Sequence, residues 1–298
     1  MNSELANNFH SDGERHLPGV QQKMTFRPRK RFGQHWLNHP PTLQAIIQAA
    51  NISPVDRLLE IGPGMGVLTR ELLTRDNPLV AVELDRDLCI KLKNKLTPTE
   101  NFLLLEGDIL KLNLPELLTP YPQFRPINKV VANIPYNITG PILALLLGSI
   151  NQPRSPKFDN IVLLVQKEIA ERLTAQPGSK AYGALSVRMQ YLARIDWIVE
   201  VSRRAFTPPP QVDSAVVRII PHALNHPGCD PRILHQLVHL GFANRRKMLR
   251  NNLKGVVAPE QLMSFLEQLS LPATARAEEV SLEQWLALSN CLAPLLSP

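Results

Sequence analysis

The fold is decided by the stretch Arg57-Leu58-Leu59-Glu60-Ile61-Gly62-Pro63-Gly64-Met65-Gly66. A short apolar run ends in three closely spaced glycines, and a helical pattern follows at once over residues 67–74. A strand that turns directly into a helix brings backbone close to a ligand, and a Cβ in that turn would block the approach. The spacing is G-x-G-x-G, whereas a dinucleotide fingerprint is G-x-G-x-x-G. The loop therefore favours a ligand without a pyrophosphate, and the alternative is a tight turn with no ligand.

Apolar runs and helical patterns alternate on both sides of this loop. Short runs rich in Val, Ile and Leu predict strands at residues 57–61, 79–83, 102–106, 129–132 and 160–165. Such runs are typical of a buried parallel sheet with helices on both faces. Two more strands, at 197–201 and 215–220, flank a Pro-rich turn at 206–210 and predict an antiparallel hairpin at one edge. We therefore expect an α/β, Rossmann-like fold with a seven-stranded mixed sheet.

The remainder of the chain differs in composition from this core. Residues 1–26 are polar without a hydrophobic period and predict a disordered leader. After a Pro, Gly, His and Asn break at 221–231, helices are predicted at 233–253 and 259–269. We divide the chain into the leader, a catalytic domain at 27–222 and a small C-terminal helical domain at 223–298.

Composition and charge narrow the class of protein. The formal charge of +7 favours a polyanionic partner, and the cations concentrate in two clusters, which are Arg27, Arg29, Lys30 and Arg31, and Arg245, Arg246, Lys247, Arg250 and Lys254. Each cluster is alternatively a solvated face. The three cysteines show no zinc or disulfide spacing, so no metal is expected. No apolar segment is long enough to span a bilayer and no signal peptide is visible, so we expect a cytoplasmic protein without membrane contact.

Acidic residues follow two successive strands. Glu83 ends the second strand, 21 residues after Gly62, which is near the spacing at which a carboxylate meets ribose hydroxyls. Asp108 follows the third strand, where its carboxylate can accept a hydrogen bond from an adenine amino group. Either acid alone is equally well a loop residue or a helix cap. Together with the glycines they predict a site for an adenosine derivative.

The fourth strand ends in Asn133-Ile134-Pro135-Tyr136. Adenine N6 is a poor nucleophile because its lone pair is delocalised, so its methylation needs acceptors that hold the amino hydrogens. The Asn133 side-chain oxygen and the Ile134 carbonyl can supply them, and Pro135 stiffens the turn. Tyr136 can stack on a flipped base. The sequence thus predicts methylation of an adenine amino group from an activated sulfonium cofactor, without a general base; a strand-ending turn with a core tyrosine is the alternative.

With these residues in hand, the chain resembles the rRNA adenine N6,N6-dimethyltransferase family over residues 27 to about 290. The resemblance rests on the glycine loop, on Asn133–Tyr136 and on five further motifs. These motifs are Lys30-Arg31-Phe32-Gly33-Gln34-His35-Trp36-Leu37, Gln166-Lys167-Glu168, Gly178-Ser179-Lys180-Ala181-Tyr182-Gly183, Phe206-Thr207-Pro208-Pro209-Pro210 and Asn244-Arg245-Arg246-Lys247.

The resemblance implies a cofactor, a substrate and further site residues. The cofactor is S-adenosylmethionine, bound by His35, Leu37, Gly62, Gly64, Gly66, Glu83, Asp108 and Asn133. Many family members carry Asn at the position of His35. Phe206 resembles the aromatic residue that faces Tyr136 across the target base. The substrate is a pair of adjacent adenosines in the 3′-terminal hairpin loop of 16S rRNA in an assembling 30S particle, bound by a monomer.

The resemblance also suggests which cations bind RNA. These are Arg29, Lys30, Arg31, Arg245, Arg246, Lys247 and Arg250. Lys167, Glu168 and Arg172 are interpreted as a solvated helix face, and residues 180–183 as either an RNA-facing loop or a plain connection.

Two other functions remain open. A macrolide-resistance methylase acting on large-subunit rRNA shares the cofactor loop and the Asn-x-Pro-Tyr segment, but residues 206–210 and 244–247 favour the small-subunit enzyme. A non-catalytic assembly or transcription factor could keep the fold and bind nucleic acid. The intact set Gly62, Glu83, Asp108 and Asn133 argues against that alternative. A DNA adenine methylase and a dehydrogenase fit the motifs less well.

Overall fold

The structure, a computed structural model, describes residues 34–96, 100–223 and 229–296. Within these ranges the strands are β1 Trp36–Leu37, β2 Leu58–Ile61, β3 Leu79–Glu83, β4 Phe102–Glu106, β5 Lys129–Asn133, β6 Gly148–Ser149, β7 Gln152–Pro153, β8 Asn160–Gln166, β9 Ala193–Val201, β10 Phe206–Thr207 and β11 Ser214–Pro221. The helices are α1 Pro40–Ala50, α2 Val67–Leu73, α3 Arg86–Lys95, α4 Leu114–Leu117, α5 Thr139–Leu147, α6 Lys167–Thr174, α7 Ala184–Leu192, α8 Pro231–Gly241, α9 Leu249–Asn252, α10 Pro259–Gln268 and α11 Leu282–Leu296.

The central sheet has seven strands in the order β4-β3-β2-β5-β8-β11-β9. Strands β4, β3, β2, β5 and β8 are parallel, and β11 lies antiparallel between β8 and β9. The predicted α/β class and seven-stranded mixed sheet are therefore confirmed. Because the parallel strands all run one way, their carboxyl ends meet at one edge, which is where open α/β sheets bind ligands.

The antiparallel edge differs in detail from the prediction. Strand β9 begins at Ala193, four residues before the expected Trp197. The Pro-rich connection to β11 also contains a short strand, β10, which pairs with β1. This pairing places Leu37 opposite Phe206 and carries residues 34–37, here called the entrance strip, across the carboxyl edge of the sheet.

The predicted helix at 233–253 is wrong as a single helix. Helix α8 ends at Gly241, and α9 covers only Leu249–Asn252. A Cβ on Gly241 would lie 2.5 Å from the Trp285 ring, so the chain passes very close to α11 at this point. The Asn252 side chain donates hydrogen bonds to the carbonyls of Gly241 and Asn244, at 2.6 and 3.1 Å, and stabilises the turn that follows α8. The prediction at 259–269 is confirmed by α10.

The C-terminal helices pack on the same apolar core as the sheet. Trp285 of α11 is fully buried, its ring centroid lies 5.9 Å from that of Phe242, and Phe242 in turn lies 6.4 Å from Tyr182. The Tyr182 hydroxyl donates a 3.0 Å hydrogen bond to the Val280 carbonyl. The division at residue 222 stays a prediction, and the predicted leader at 1–26 lies outside the described residues.

Membrane-spanning helices and metal-binding clusters are both absent from the described residues. None of the helices in these ranges is long and apolar enough to cross a membrane. The same residues contain no group of three or more His, Cys, Asp or Glu side chains placed to hold a metal ion.

Replacing Trp285 by alanine tests the shared core. We expect Trp285→Ala to lower the free energy of unfolding by about 3–5 kcal/mol, because it leaves a large cavity between α8 and α11. Urea denaturation followed by circular dichroism measures the change. Trp197→Ala is the matched control, since Trp197 lies 36% exposed on the edge strand β9. Equal decreases in the two variants would contradict this account of the core.

Candidate active site

The glycine loop lies between β2 and α2 at the carboxyl edge of the sheet. Gly64 has a φ of +59°, a conformation that L side chains rarely adopt. A Cβ at Gly64 would lie 2.9 Å from Cδ1 of Trp36. The loop therefore packs closely against the entrance strip and leaves no room for a larger residue.

Glu83 holds the glycine loop in place. One carboxylate oxygen accepts a 3.0 Å hydrogen bond from the Gly64 amide, and the other accepts a 2.8 Å bond from the Asp85 amide. Burial raises the pKa of Glu83, and these two amide donors oppose the rise. Each carboxylate oxygen can accept more than one hydrogen bond, so Glu83 can shape the loop and still face the cavity that it lines.

Asp108 follows β4 and lines the same cavity. Its Oδ1 accepts a 3.1 Å hydrogen bond from the Leu110 amide, and its Oδ2 lies 3.8 Å from the Lys111 ammonium. Sequence reasoning missed the two apolar residues that come directly after the acids, Leu84 and Ile109. Both line the cavity, and Leu84 is 50% exposed. Their position immediately after each acid is the signal that could have identified them.

Glu60 is a third acid of the cavity lining, and sequence reasoning did not single it out. Its side chain is buried beneath the cavity, and its Oε2 has no hydrogen-bond partner among the described residues. Burial, helped by repulsion from Glu83, raises its pKa to about 8. Glu60 is therefore mostly neutral at pH 7 when the cavity holds no positive charge.

Asn133 ends β5 beside the entrance strip. Its Nδ2 donates a 3.2 Å hydrogen bond to the His35 carbonyl oxygen. A carbonyl can only accept, so this contact fixes which way the amide faces and turns Oδ1 away from the entrance strip. Asn133 and Ile134 both line the cavity, and Pro135, with φ −59° and ψ 131°, leads into the short helix that begins at Tyr136.

Tyr136 contacts Ser214 through its hydroxyl and His35 through its ring. Its hydroxyl and the Ser214 hydroxyl share a 2.6 Å hydrogen bond. Its ring lies 6.0 Å from the His35 ring, with the two planes inclined by 21°. The His35 Nδ1 donates a 2.8 Å bond to the Pro208 carbonyl, which fixes that ring in turn. Burial raises the pKa of Tyr136, and the hydrogen bond to Ser214 opposes the rise, so the phenol stays protonated at neutral pH.

The predicted residues do not all meet at the cavity. The lining includes His35, Leu37, Gly62, Gly64, Glu83, Asp108, Asn133, Ile134, Pro135 and Tyr136. Gly66 lies outside the lining and forms the turn into α2. Phe206 is also outside it: the residue is 3% exposed and belongs to the apolar cluster that includes Leu37 and Leu43. In this structure His35, not Phe206, faces the Tyr136 ring.

The basic residues predicted to bind RNA differ in their surroundings. Arg245 donates to the carbonyls of Lys180 and Tyr182, at 3.2 and 2.8 Å, and lies 3.5 Å from Glu278. These contacts tie residues 180–183 to the C-terminal helices. Arg246 and Lys247 are exposed, and Arg250 is half-buried. Arg29, Lys30 and Arg31 lie outside the described residues.

The comparisons with known proteins agree on one family. The model of the family described as "Ribosomal RNA adenine dimethylase" matches residues 25–294. A relative from Synechocystis sp. named "Ribosomal RNA small subunit methyltransferase A" is 70% identical, over 92% of this chain and 100% of its own. A protein of the same name from Rippkaea orientalis is 58% identical, over 89% of this chain and 98% of its own.

Two solved structures are similar over most of the chain. A dimethyladenosine transferase from Plasmodium falciparum has a TM-score of 0.69 at 27% identity, covering 85% of this chain and 96% of its own. The 23S rRNA methyltransferase ErmE also has a TM-score of 0.69, at 28% identity, covering 86% of this chain and 99% of its own. Overall shape therefore does not distinguish these two kinds of enzyme.

Glu60 makes the stability of the ligand-free protein depend on pH. Its folded pKa is raised, so the stability that it contributes as a neutral group is complete below the ordinary value of 4.5 and is lost as pH rises toward about 8. We expect the unfolding free energy of Glu60→Gln, relative to the parent protein, to rise by about 3 kcal/mol between pH 5 and pH 8. Urea denaturation at several pH values measures it, with Glu260→Gln on the surface of α10 as control. A difference that does not change with pH would contradict the neutral, buried Glu60.

Proposed function

Because the chain belongs to the ribosomal RNA adenine dimethylase family, we propose that it transfers methyl groups from S-adenosylmethionine to N6 of two adjacent adenosines in the 3′-terminal hairpin loop of 16S rRNA. Each adenosine receives two methyl groups while the small subunit is being assembled. The protein acts in the cytoplasm as a monomer on the assembling 30S particle.

The orientation of Asn133 is the observation that carries this function. With Nδ2 bound to the His35 carbonyl, Oδ1 is the atom left to accept a hydrogen from the adenine amino group. The Ile134 carbonyl is the second acceptor. Holding both amino hydrogens draws the nitrogen lone pair out of the ring and toward an electrophile. The acceptors are in place before the base arrives, which is how oriented dipoles lower a reaction barrier.

The lining of the cavity fits the proposed cofactor. Glu83 and Asp108 supply acceptors for the ribose hydroxyls and the adenine amino group, and Leu84 and Ile109 supply apolar surface for the ring. The backbone of the glycine loop and residues His35, Leu37 and Asn133 border the remainder. When bound, S-adenosylmethionine supplies a methyl group already activated by a sulfonium centre.

The residues around the target base position it and do not need to remove a proton first. Tyr136 offers its ring for stacking, and its phenol remains protonated at neutral pH, so it is not a general base. The proton leaves N6 to solvent or through the Asn133 contact. Phe206 is proposed to face Tyr136 across the base, which requires its buried ring to move toward the cavity, whereas His35 already lies there.

Small-subunit RNA is favoured over large-subunit RNA by the relatives of high sequence identity. Relatives with 70% and 58% sequence identity are named "Ribosomal RNA small subunit methyltransferase A", whereas the sequence identity to ErmE is 28%. We propose that the C-terminal helical domain, residues 223–298, binds RNA through Arg246, Lys247 and Arg250, with Arg245 holding the 180–183 segment beside them. Arg29, Lys30 and Arg31 are also proposed to bind RNA. Cations at these positions give salt-dependent binding that is largely independent of sequence.

Nucleoside analysis of methylated RNA tests this function. The protein is incubated with isotopically labelled S-adenosylmethionine and either undermethylated small subunits or large-subunit rRNA, and the nucleosides are identified by mass spectrometry. We expect labelled N6,N6-dimethyladenosine in the small-subunit sample and none in the large-subunit sample. Label only in large-subunit RNA would favour the macrolide-resistance alternative, and no label in either sample would favour a non-catalytic factor.

A further inference from the structure

Two arginines lie at the same edge of the sheet as the active site. Strand β11 is antiparallel to both β8 and β9, so β9 runs in the same direction as β8 and ends at the carboxyl edge. Ser214, whose hydroxyl bonds to Tyr136, is paired with Val201 at the end of β9. Arg203 and Arg204, here called the rim arginines, follow Val201 in a short 3₁₀ helix. Val201 therefore lies one strand spacing, roughly 5 Å, from the residue that holds Tyr136, and the rim arginines follow Val201 by two and three residues.

The backbone of the rim arginines is fixed by its neighbours. The Arg203 amide donates to Oδ1 of Asp213 at 2.8 Å, and the Arg204 amide donates to the Ser202 hydroxyl at 3.3 Å. The next residue, Ala205, accepts a 2.8 Å bond from the amide of Asn38. The segment is thereby joined to the chain that continues from the entrance strip.

The rim arginines differ from other cations of this part of the chain in having no carboxylate partner among the described residues. Lys167 is paired with Glu200, Arg172 with Glu168, and Arg218 with Asp196. Within the described ranges neither Arg203 nor Arg204 forms an ion pair, and both are exposed. The Arg203 guanidinium makes only a long hydrogen bond there, 3.4 Å from Nη1 to the Gln211 carbonyl. Two exposed guanidinium groups without a carboxylate partner in this part of the chain thus lie at the carboxyl edge of the sheet, the edge that also carries Tyr136.

We propose that the rim arginines bind the backbone phosphates of the RNA strand next to the target adenosine. The inference rests on the proposed function, because it assigns the RNA contact nearest to the base. A guanidinium binds a phosphate through two parallel N–H donors, and such contacts fix the register of the strand without reading its sequence. A base taken out of its stack needs its flanking backbone held, since unstacking is otherwise unfavourable. These contacts supply that hold at the edge of the sheet that carries the active site, whereas Arg246 and Lys247 lie in the turn between α8 and α9.

The double variant R203Q/R204Q tests the proposal. Steady-state methylation of undermethylated small subunits gives kcat and KM, and fluorescence anisotropy gives the Kd for a short hairpin RNA with two adjacent adenosines in its loop. We expect KM for the subunits and Kd for the hairpin to rise about tenfold at low salt, with kcat and the affinity for S-adenosylmethionine unchanged. The slope of log Kd against log salt is expected to become shallower by about 0.7 for each phosphate that the variant no longer neutralises.

Two control variants separate phosphate binding from a change in structure. R203K/R204K keeps both charges and is expected to recover most of the binding. Arg194→Gln removes an exposed arginine at the opposite end of β9, where its guanidinium lies 3.5 Å from Asp196. This variant is expected to leave KM unchanged. A double glutamine variant with unaltered hairpin affinity and salt slope would overturn the proposal. If the parent protein made no dimethyladenosine, the proposed function would fail, while hairpin binding would still decide the role of the rim arginines.

Discussion

A hydrogen bond from the Asn133 amide nitrogen to the His35 carbonyl oxygen joins the end of β5 to the entrance strip. It decides which atom of Asn133 can meet a substrate, because the nitrogen is already committed to a carbonyl. The entrance strip can provide that carbonyl only because β1 pairs with β10, which comes from the connection between β9 and β11. The chemistry at the end of β5 therefore depends on two segments that are distant from it in the sequence, one near the start of the described chain and one beyond β9.

Contacts between neighbouring strand ends position the remaining parts of the site in the same way. Glu83 ends β3 and holds the Gly64 amide, so the cofactor loop is shaped by the neighbouring strand as well as by its own glycines. Ser214 at the start of β11 holds the Tyr136 hydroxyl. Each contact joins side chains or backbone from two different strand ends. The carboxyl edge of the sheet thus carries both the cofactor cavity and the proposed base-binding residues, and Arg203 and Arg204 extend it toward the RNA.

Features encoded by consecutive residues could be predicted from the sequence. The apolar runs, the glycine turn and the acids after β3 and β4 all follow from local patterns, and the seven-stranded mixed sheet followed from them. Features that depend on contacts between distant parts of the chain could not be predicted in this way. Phe206 is paired with Leu37 of the distant strand β1, and the turn after α8 is held by the side chain of Asn252. Arg245 in turn binds the carbonyls of Lys180 and Tyr182. Arg203 and Arg204 stand side by side in the sequence, but only the strand order places them at the sheet edge that also carries Tyr136.

The proposed methyl transfer requires Oδ1 of Asn133 to accept a hydrogen from the target amino group. The most direct measurement is the single-turnover rate of methyl transfer by Asn133→Ala, with S-adenosylmethionine and small subunits both saturating so that weaker binding does not contribute. We predict a rate lower by about 100-fold or more, as found when one oriented hydrogen-bonding group is removed from an active site. A rate within a few-fold of that of the parent protein would contradict the claim.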